Sequence, residues 1–142
     1  MNSKKIENFV TIYQKLNKDN LALLEDIYHQ DVVFIDPLHT VEGLKELEQY
    51  FSHLYSNLQS ITFNIDESVE INDRGFLYWT MTYCHPSLNR GKPINVSGHS
   101  RIKFHNERVI FHQDYVDTNT MIFEHIPLVG KVIKYLKKRA SK

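Results

Sequence analysis

Apolar residues recur at intervals of three and four along the first part of the chain, which is the period of an amphipathic helix. This spacing predicts three helices, over residues 4–16, 21–28 and 44–58. Between the second and third helices, residues 32–35 are β-branched or aromatic and therefore favour a short buried strand, which Pro37 ends. The first half of the chain is thus expected to be mainly helical.

The hydrophobic period changes from 3.6 to 2 after residue 60, and this change predicts a sheet. Four strands are expected, over residues 61–71, 76–85, 94–104 and 108–117. Short turn-rich segments join them, so consecutive strands should pair as an antiparallel meander. Residues 119–138 are expected to contain a break at Pro127–Gly130, followed by a basic amphipathic helix. Helices followed by strands indicate an α+β fold, in which a strongly curved sheet would enclose a pocket beneath the helices.

Strand alternation predicts which side chains face that pocket. In the second and third of the four strands, one face is clearly more apolar and is expected inward: Leu77, Trp79, Met81, Tyr83, Ile94, Val96, Gly98, Ser100, Ile102 and Phe104. The last strand leaves two registers open. Either the set Ile110, His112, Asp114 and Val116 or the set Phe111, Gln113, Tyr115 and Asp117 points inward.

The length and composition of the chain exclude several classes of protein. The 142 residues form one expected domain, 1–142, and are long enough to bury a core without a disulfide or metal. The single Cys84 excludes an internal disulfide, and the balance of 17 basic against 17 acidic residues argues against a general nucleic-acid binder. No membrane span is expected because no apolar run approaches 18 residues. With no signal-peptide pattern at the start, the predicted location is cytoplasmic.

Three titratable side chains are candidates for chemistry in the pocket. Asp36 lies at the end of the first strand, and His112 and Asp114 share one face of the last strand if they point inward. A carboxylate in an apolar cavity beside Phe34, Trp79 and Ile102 would have a raised pKa, as a general acid or base near neutral pH requires. The sequence therefore predicts acid–base catalysis by Asp36, His112 and Asp114.

Structural roles remain open for the same residues. Asp36 precedes a proline and could serve only its turn, whereas His112 and Asp114 could form a structural hydrogen-bonded pair. Trp79 and Tyr83 fit a core as well as a ligand platform. The other histidines are scattered without HxH or HExxH spacing, so no metal is expected. No phosphate-binding or nucleophile-elbow motif is present either.

The order of these elements resembles a known family. The segment from Tyr28 to Pro37, Gly43 before the third helix, and the last strand from Val109 to Asp117 look like the SnoaL-like branch of the nuclear transport factor 2-like superfamily. Ketosteroid isomerases and polyketide cyclases belong to this superfamily. The resemblance implies a cone-shaped sheet around the helices, a deep apolar pocket, and a homodimer packed through the outer face of the sheet.

The resemblance also implies roles for particular residues. Asp36 followed by Pro37 is similar to the strand-end base of ketosteroid isomerases, but the position of their helix-1 tyrosine falls on Ile12, next to Tyr13. The position of their protonated aspartate falls on Ser100, so steroid isomerisation is not expected. In the cyclases an aspartate of a later strand is the acid–base group, and Asp114 with His112 is its counterpart.

The function expected from residues and resemblance together is proton transfer next to a carbonyl of a hydrophobic cyclic or polyketide-like compound. No cofactor is expected, because the carbonyl itself accepts the electrons. The alternative is a non-catalytic ligand-binding or protein-interaction module of the same fold. The residues expected to contact a ligand are Tyr13, Phe34, Trp79, Tyr83, Ser100 and Ile102.

Overall fold

The computed structural model describes residues 4–118 and 127–141. Its helices are α1 (Lys4–Lys15), α2 (Leu24–Ile27), α3 (Leu44–Ser56) and α4 (Pro127–Ala140), with short 3-10 turns at Leu21–Leu23 and Asn89–Gly91. Its strands are β1 (Tyr28–Ile35), β2 (Thr40–Glu42), β3 (Ser60–Ile71), β4 (Arg74–Cys84), β5 (Ile94–His105) and β6 (Arg108–Val116). The predicted α+β class is confirmed.

The six strands form one curved sheet in the order β2-β1-β6-β5-β4-β3. The predicted meander is present, because β3 to β6 pair antiparallel with their neighbours along the chain. Two features differ from the prediction. Strand β1 adds to β6 in parallel, and the short β2 pairs with the outer edge of β1. Local periodicity carries no information on such long-range pairing, so neither feature could be predicted from it.

The second predicted helix, over residues 21–28, is confirmed except at its last residue. It consists of one 3-10 turn and the four residues of α2, and Tyr28 already has the extended backbone of β1 (φ −109°, ψ 142°). The early change to strand places Tyr28 opposite Val109 of β6. Tyr28 is therefore a core residue of the sheet rather than the end of a helix.

The inner face of the sheet carries the side chains that alternation predicts for β4 and β5. Leu77, Trp79 and Tyr83 of β4 are buried, as are Val96 and Ile102 of β5. Helices α1 and α3 cover this face and contribute a second set of core side chains: Ile6, Phe9, Ile12, Tyr13, Leu47, Phe51 and Tyr55. The core therefore lies between the helices and the concave face.

Polar residues on the inner face of β6 and a bulge in the strand explain why its register was ambiguous; the register with His112 inward is the one observed, since His112 is buried and Tyr115 is exposed. Phe111 pairs with Lys103 and Val109 pairs with Phe104, so Ile110 is the extra residue between two paired positions. The bulge puts both Val109 and His112 on the inner face, where they are fully buried. Simple alternation cannot place residues three apart on one face, so the sequence pattern had to look mixed.

Gly98 allows a close approach in the neighbouring strand. A Cβ atom at this position would lie 2.4 Å from the Trp79 indole and 2.8 Å from the Tyr115 carbonyl oxygen. Because glycine has no Cβ, the Trp79 ring can lie flat across β5 and reach Ser100.

Among the described residues, no helix has both the length and the apolar character that crossing a membrane requires.

Candidate functional site

Helices α1 and α3 and the inner face of the sheet enclose a cavity of about 300 Å³. Most of its lining is aromatic or aliphatic. The residues that line it are Tyr13, Phe34, Asp36, Pro37, Leu38, His39, Tyr50, Phe51, Leu54, Leu58, Ile61, Phe63, Trp79, Met81, Tyr83, His85, Leu88, Asp114 and Val116. Two carboxylates, Asp36 and Asp114, thus face an otherwise largely apolar space.

Asp114 is held by two hydrogen bonds that end on the same oxygen. The Ser100 hydroxyl donates to Asp114 Oδ1 at 2.5 Å, and His112 Nε2 lies 2.5 Å from that oxygen. Ser100 Oγ in turn accepts the indole N–H of Trp79 at 2.8 Å. Within the described residues no hydrogen bond ends on Asp114 Oδ2. That oxygen is therefore available to a molecule in the cavity.

His112 is buried beneath Asp114 and has both ring nitrogens engaged. Its side chain is 1% exposed, and Nδ1 lies 2.7 Å from the Tyr28 hydroxyl. An ionised Asp114 accepts a hydrogen bond, so His112 Nε2 must donate it and carry the imidazole hydrogen. Nδ1 then accepts a hydrogen bond from the Tyr28 hydroxyl. Burial, followed by the nearby charge of Asp114, holds the pKa of the Tyr28 hydroxyl well above its usual range, so it remains a donor.

Aromatic rings enclose this buried pair. The His112 ring lies 4.7 Å from the ring of Phe34 and 5.9 Å from that of Phe9, centroid to centroid. Phe34 and His112 are opposite each other in the parallel pairing of β1 with β6. The imidazole is thereby fixed in one orientation, and its effect on a ligand must pass through Asp114.

Asp36 occupies a different environment at the edge of the cavity. Its Oδ1 accepts the backbone N–H groups of Leu38 (2.8 Å) and His39 (2.7 Å), and the Tyr50 hydroxyl donates to Oδ2. Burial and this bond to Asp36 raise the pKa of Tyr50. Leu38 is 53% exposed although it lines the cavity, so the turn lies where the cavity meets solvent.

A sequence profile describing the SnoaL-like domain matches residues 9–124. The chain belongs to the SnoaL-like domain family. The match runs from the middle of α1 through β6 and ends before α4. No functionally curated protein matches the sequence at a significant level.

Solved structures show the same fold. A nuclear transport factor 2-like protein of unknown function from Burkholderia pseudomallei superposes with a TM-score of 0.77 at 18% identity, covering 88% of this chain and 99% of its own. A candidate SnoaL-like polyketide cyclase from a Jannaschia species gives 0.75 at 11% identity, with coverages of 87% and 91%. Another candidate, from Shewanella putrefaciens, gives 0.73 at 17% identity, with coverages of 90% and 99%. At these identities the likeness establishes the fold alone.

The SnoaL-like fold brings six of the nine residues singled out from the sequence to the cavity wall: Tyr13, Phe34, Asp36, Trp79, Tyr83 and Asp114. Ser100 and His112 do not line it but bind Asp114 from behind. Ile102 does not line it either. That side chain is fully buried deeper in the core, close to Ile6 and Gly75, so the expectation that it would contact a ligand is not supported by its position.

Two tyrosines of this site were not identified from the sequence. Tyr28 binds His112 across 84 positions of sequence, and Tyr50 binds Asp36 from α3, 14 positions away. Both look like ordinary apolar positions in the pattern, and only the packing of β1 and α3 reveals their partners. Among the described residues, no cluster of three histidine, cysteine or acidic side chains could hold a metal ion.

Proposed function

We propose that this SnoaL-like protein binds a compact hydrophobic carbonyl compound and that Asp114 transfers a proton at the carbon next to the carbonyl. The observation that carries the proposal is the open oxygen of Asp114. Ser100 and His112 both hold Oδ1, while Asp114 lines the cavity. A base fixed in this way needs little reorganisation when the proton moves.

The proposed step is an enolisation. Asp114 Oδ2 takes the proton, the electrons of the C–H bond form a carbon–carbon double bond, and the carbonyl π electrons move to oxygen. Tyr13 is assigned as the donor to that oxygen, because it lines the same cavity and burial keeps the pKa of its hydroxyl well above the usual range; its hydroxyl would turn there from the neighbouring Tyr28 hydroxyl. Asp114 then returns the proton to the same or another carbon of the enolate.

His112 acts as a positioning residue in this proposal. It is buried, does not line the cavity, and donates through Nε2 to Asp114. Its role is to hold the carboxylate and to stabilise its charge, as an orienting partner does in other acid–base sites. The expectation that His112 would itself contact the substrate is replaced here by contact through Asp114.

Asp36 is proposed as a structural residue of the cavity edge rather than as the base. Two backbone N–H groups bind its Oδ1, and Tyr50 binds its Oδ2. Both oxygens of Asp36 therefore already accept hydrogen bonds from the protein, whereas one oxygen of Asp114 accepts none from the described residues. Asp36 and Tyr50 together keep the turn that precedes β2 against α3.

The cavity also limits the substrate. Its volume of about 300 Å³ lies at the lower end of the range of about 300–1,000 Å³ for small-molecule pockets, which suits a compact ligand. Among the described residues, two carboxylates and no lysine or arginine line it. An uncharged substrate is therefore favoured over an anionic one, whose charge would be buried beside those carboxylates without a partner.

Hydrogen–deuterium exchange measured by NMR tests the proposal. In D₂O the protein should accelerate exchange next to the carbonyl of at least one member of a panel of one-ring and two-ring ketones. Asp114→Asn should reduce this rate at least about 100-fold, within the range that acid–base catalysis supplies. Asp36→Asn is the matched control and should stay within about fivefold, provided that both variants retain the circular dichroism spectrum of the unmodified protein.

Two outcomes would contradict the enzyme proposal. One is exchange that the protein does not accelerate for any ketone of the panel, and the other is an Asp114→Asn variant as active as the unmodified protein. Ketones that bind in the cavity without exchanging would favour the alternative of a ligand-binding module. The closed network from Trp79 through Ser100 to Asp114 is the observation that supports this alternative, because it could serve stability alone.

The cytoplasmic location remains a prediction. We also propose that the protein forms a homodimer through the outer face of the sheet. On that face Tyr78, His99 and Tyr115 lie side by side across β4, β5 and β6, with the last two rings stacked at 4.8 Å. Tyr78 is 50% exposed and Tyr115 is 42% exposed. Sedimentation should show twice the mass of the 16.8 kDa chain, and Tyr115→Glu should yield monomers. An unmodified protein that sediments as a monomer would contradict the proposed homodimer.

A further inference from the structure

Helix α4 lies outside the matched SnoaL-like domain and has an unusual composition. Its sequence, PLVGKVIKYLKKRA, contains five basic residues and no acidic one. The domain match ends at residue 124, three positions before the helix begins. The helix therefore needs an explanation other than the cavity and its chemistry.

Large apolar side chains of α4 are exposed. Val132, Tyr135 and Leu136 are 51%, 60% and 57% exposed. At about 100° per residue these three positions fall within an arc of about 100°; Lys134 falls on the opposite side of the helix, Lys138 lies about 60° beyond the edge of the arc, and Arg139 falls inside it. Both lysines are exposed. The helix thus carries an exposed apolar arc that is flanked by lysine side chains and interrupted by Arg139 in the last turn.

We propose that α4 binds the surface of an anionic lipid bilayer, lying parallel to it. Its 14 residues extend about 21 Å, which is too short to cross a hydrocarbon layer of about 30 Å. A helix with an exposed apolar arc flanked by lysines is the type that settles at the boundary of headgroups and acyl chains. Val132, Tyr135 and Leu136 enter that boundary, and the basic side chains bind lipid phosphates.

Lipid is favoured over nucleic acid by the apolar arc. Nucleic-acid backbones are bound through cationic side chains and gain nothing from exposed valine and leucine. A lipid boundary gains from both properties, since it removes Val132 and Leu136 from water while attracting the lysines. The proposal does not rest on the proposed catalysis, because it uses no residue of the cavity.

Vesicle sedimentation with the full chain tests the inference. The protein is mixed with vesicles of phosphatidylcholine alone or with about one third phosphatidylglycerol. Binding should be at least about tenfold tighter to the anionic vesicles and should weaken as salt is raised. Lys134→Gln combined with Lys138→Gln should weaken binding about 25-fold, since each basic residue near an anionic surface contributes about fivefold.

Two further variants keep the test specific. The control combines Lys18→Gln with Lys92→Gln, which changes the net charge equally at exposed positions outside α4 and should stay within about threefold. Leu136→Ser removes part of the apolar arc and should weaken binding at least about tenfold while leaving the charge unchanged.

Several results would overturn the inference. They are equal binding to neutral and anionic vesicles, unchanged binding by the Lys134 and Lys138 double variant, or equal losses in that variant and the control. Tighter binding to a single-stranded oligonucleotide than to anionic vesicles, lost in the same double variant, would assign the helix to nucleic acid instead.

Discussion

Removing one buried hydroxyl group tests the hydrogen-bond network of the site. Tyr28 is fully buried, and its hydroxyl donates to His112 Nδ1 at 2.7 Å. In Tyr28→Phe the ring remains, but Nδ1 loses its donor in a space enclosed by aromatic rings. A buried polar group left unsatisfied costs about 1–3 kcal/mol. We expect a loss of about 2 kcal/mol in unfolding free energy, which lowers the Tm by about 6 °C for a chain of this size.

Tyr55→Phe is the matched control for this change. Tyr55 is 4% exposed, and its hydroxyl makes no hydrogen bond within residues 4–118 and 127–141. The same atom is therefore removed from a buried ring without breaking a bond, and we expect a change within about 0.5 kcal/mol. Urea denaturation followed by circular dichroism measures both values on one scale.

A spectroscopic measurement separates the hydrogen bond from general packing. Nitrogen-15 NMR of labelled histidine should show His112 protonated on Nε2 in the unmodified protein, because Nε2 donates to Asp114 and Nδ1 accepts from Tyr28. In Tyr28→Phe the Nδ1 signal should shift toward that of a nitrogen without a hydrogen bond. Equal destabilisation by the two phenylalanine variants, or an unchanged Nδ1 signal, would refute the reasoning.

Further predictions concern the core and alkaline pH. Gly98→Ala should cost about 1–3 kcal/mol and alter the near-ultraviolet circular dichroism of Trp79, because the new methyl group would lie 2.4 Å from the indole; an unaltered spectrum would contradict this. Burial raises the pKa of Tyr13, Tyr28 and Tyr55 in the folded state, so their contribution to stability is present below pH 10 and is lost as pH rises further, when only the unfolded chain ionises. Each such tyrosine should lower the unfolding free energy by about 1.4 kcal/mol per pH unit above about pH 10. Urea denaturation at several pH values should show that the unfolding free energy of Tyr55→Phe falls less steeply with pH, by that amount. An identical dependence on pH in both proteins would contradict the assignment.

The sheet shows which features the local alternation of apolar and polar residues can predict and which it cannot. Alternation along β4 and β5 predicts their buried faces correctly, because a regular strand turns every second side chain to the same side. In β6 the extra residue Ile110 shifts that alternation, and the same rule then allows two registers. A bulge depends on the partner strand as well as on the strand that carries it, so the pattern of β6 alone could not choose between them.

The two acidic residues of the site likewise show what the sequence could predict and what it could not. Asp36 and Asp114 could both be selected from the sequence, because each lies at or near the end of an apolar strand on a fold that the residue order already resembles. Their difference could not be predicted. Tyr50 and two backbone N–H groups occupy both oxygens of Asp36, whereas Ser100 and His112 bind one oxygen of Asp114.

The sequence by itself determined the α+β class, the meander and the acidic residues that could do chemistry, since these follow from short-range periodicity and residue type, while its resemblance to known proteins indicated the family. Only the tertiary structure decided that β1 joins β6 in parallel, that Tyr28 supports His112, and that Asp114 lines the cavity with one oxygen that accepts no hydrogen bond from the described residues. These features join residues as far as 84 positions apart. Such contacts depend on how complete elements pack against one another, and no local pattern records that packing.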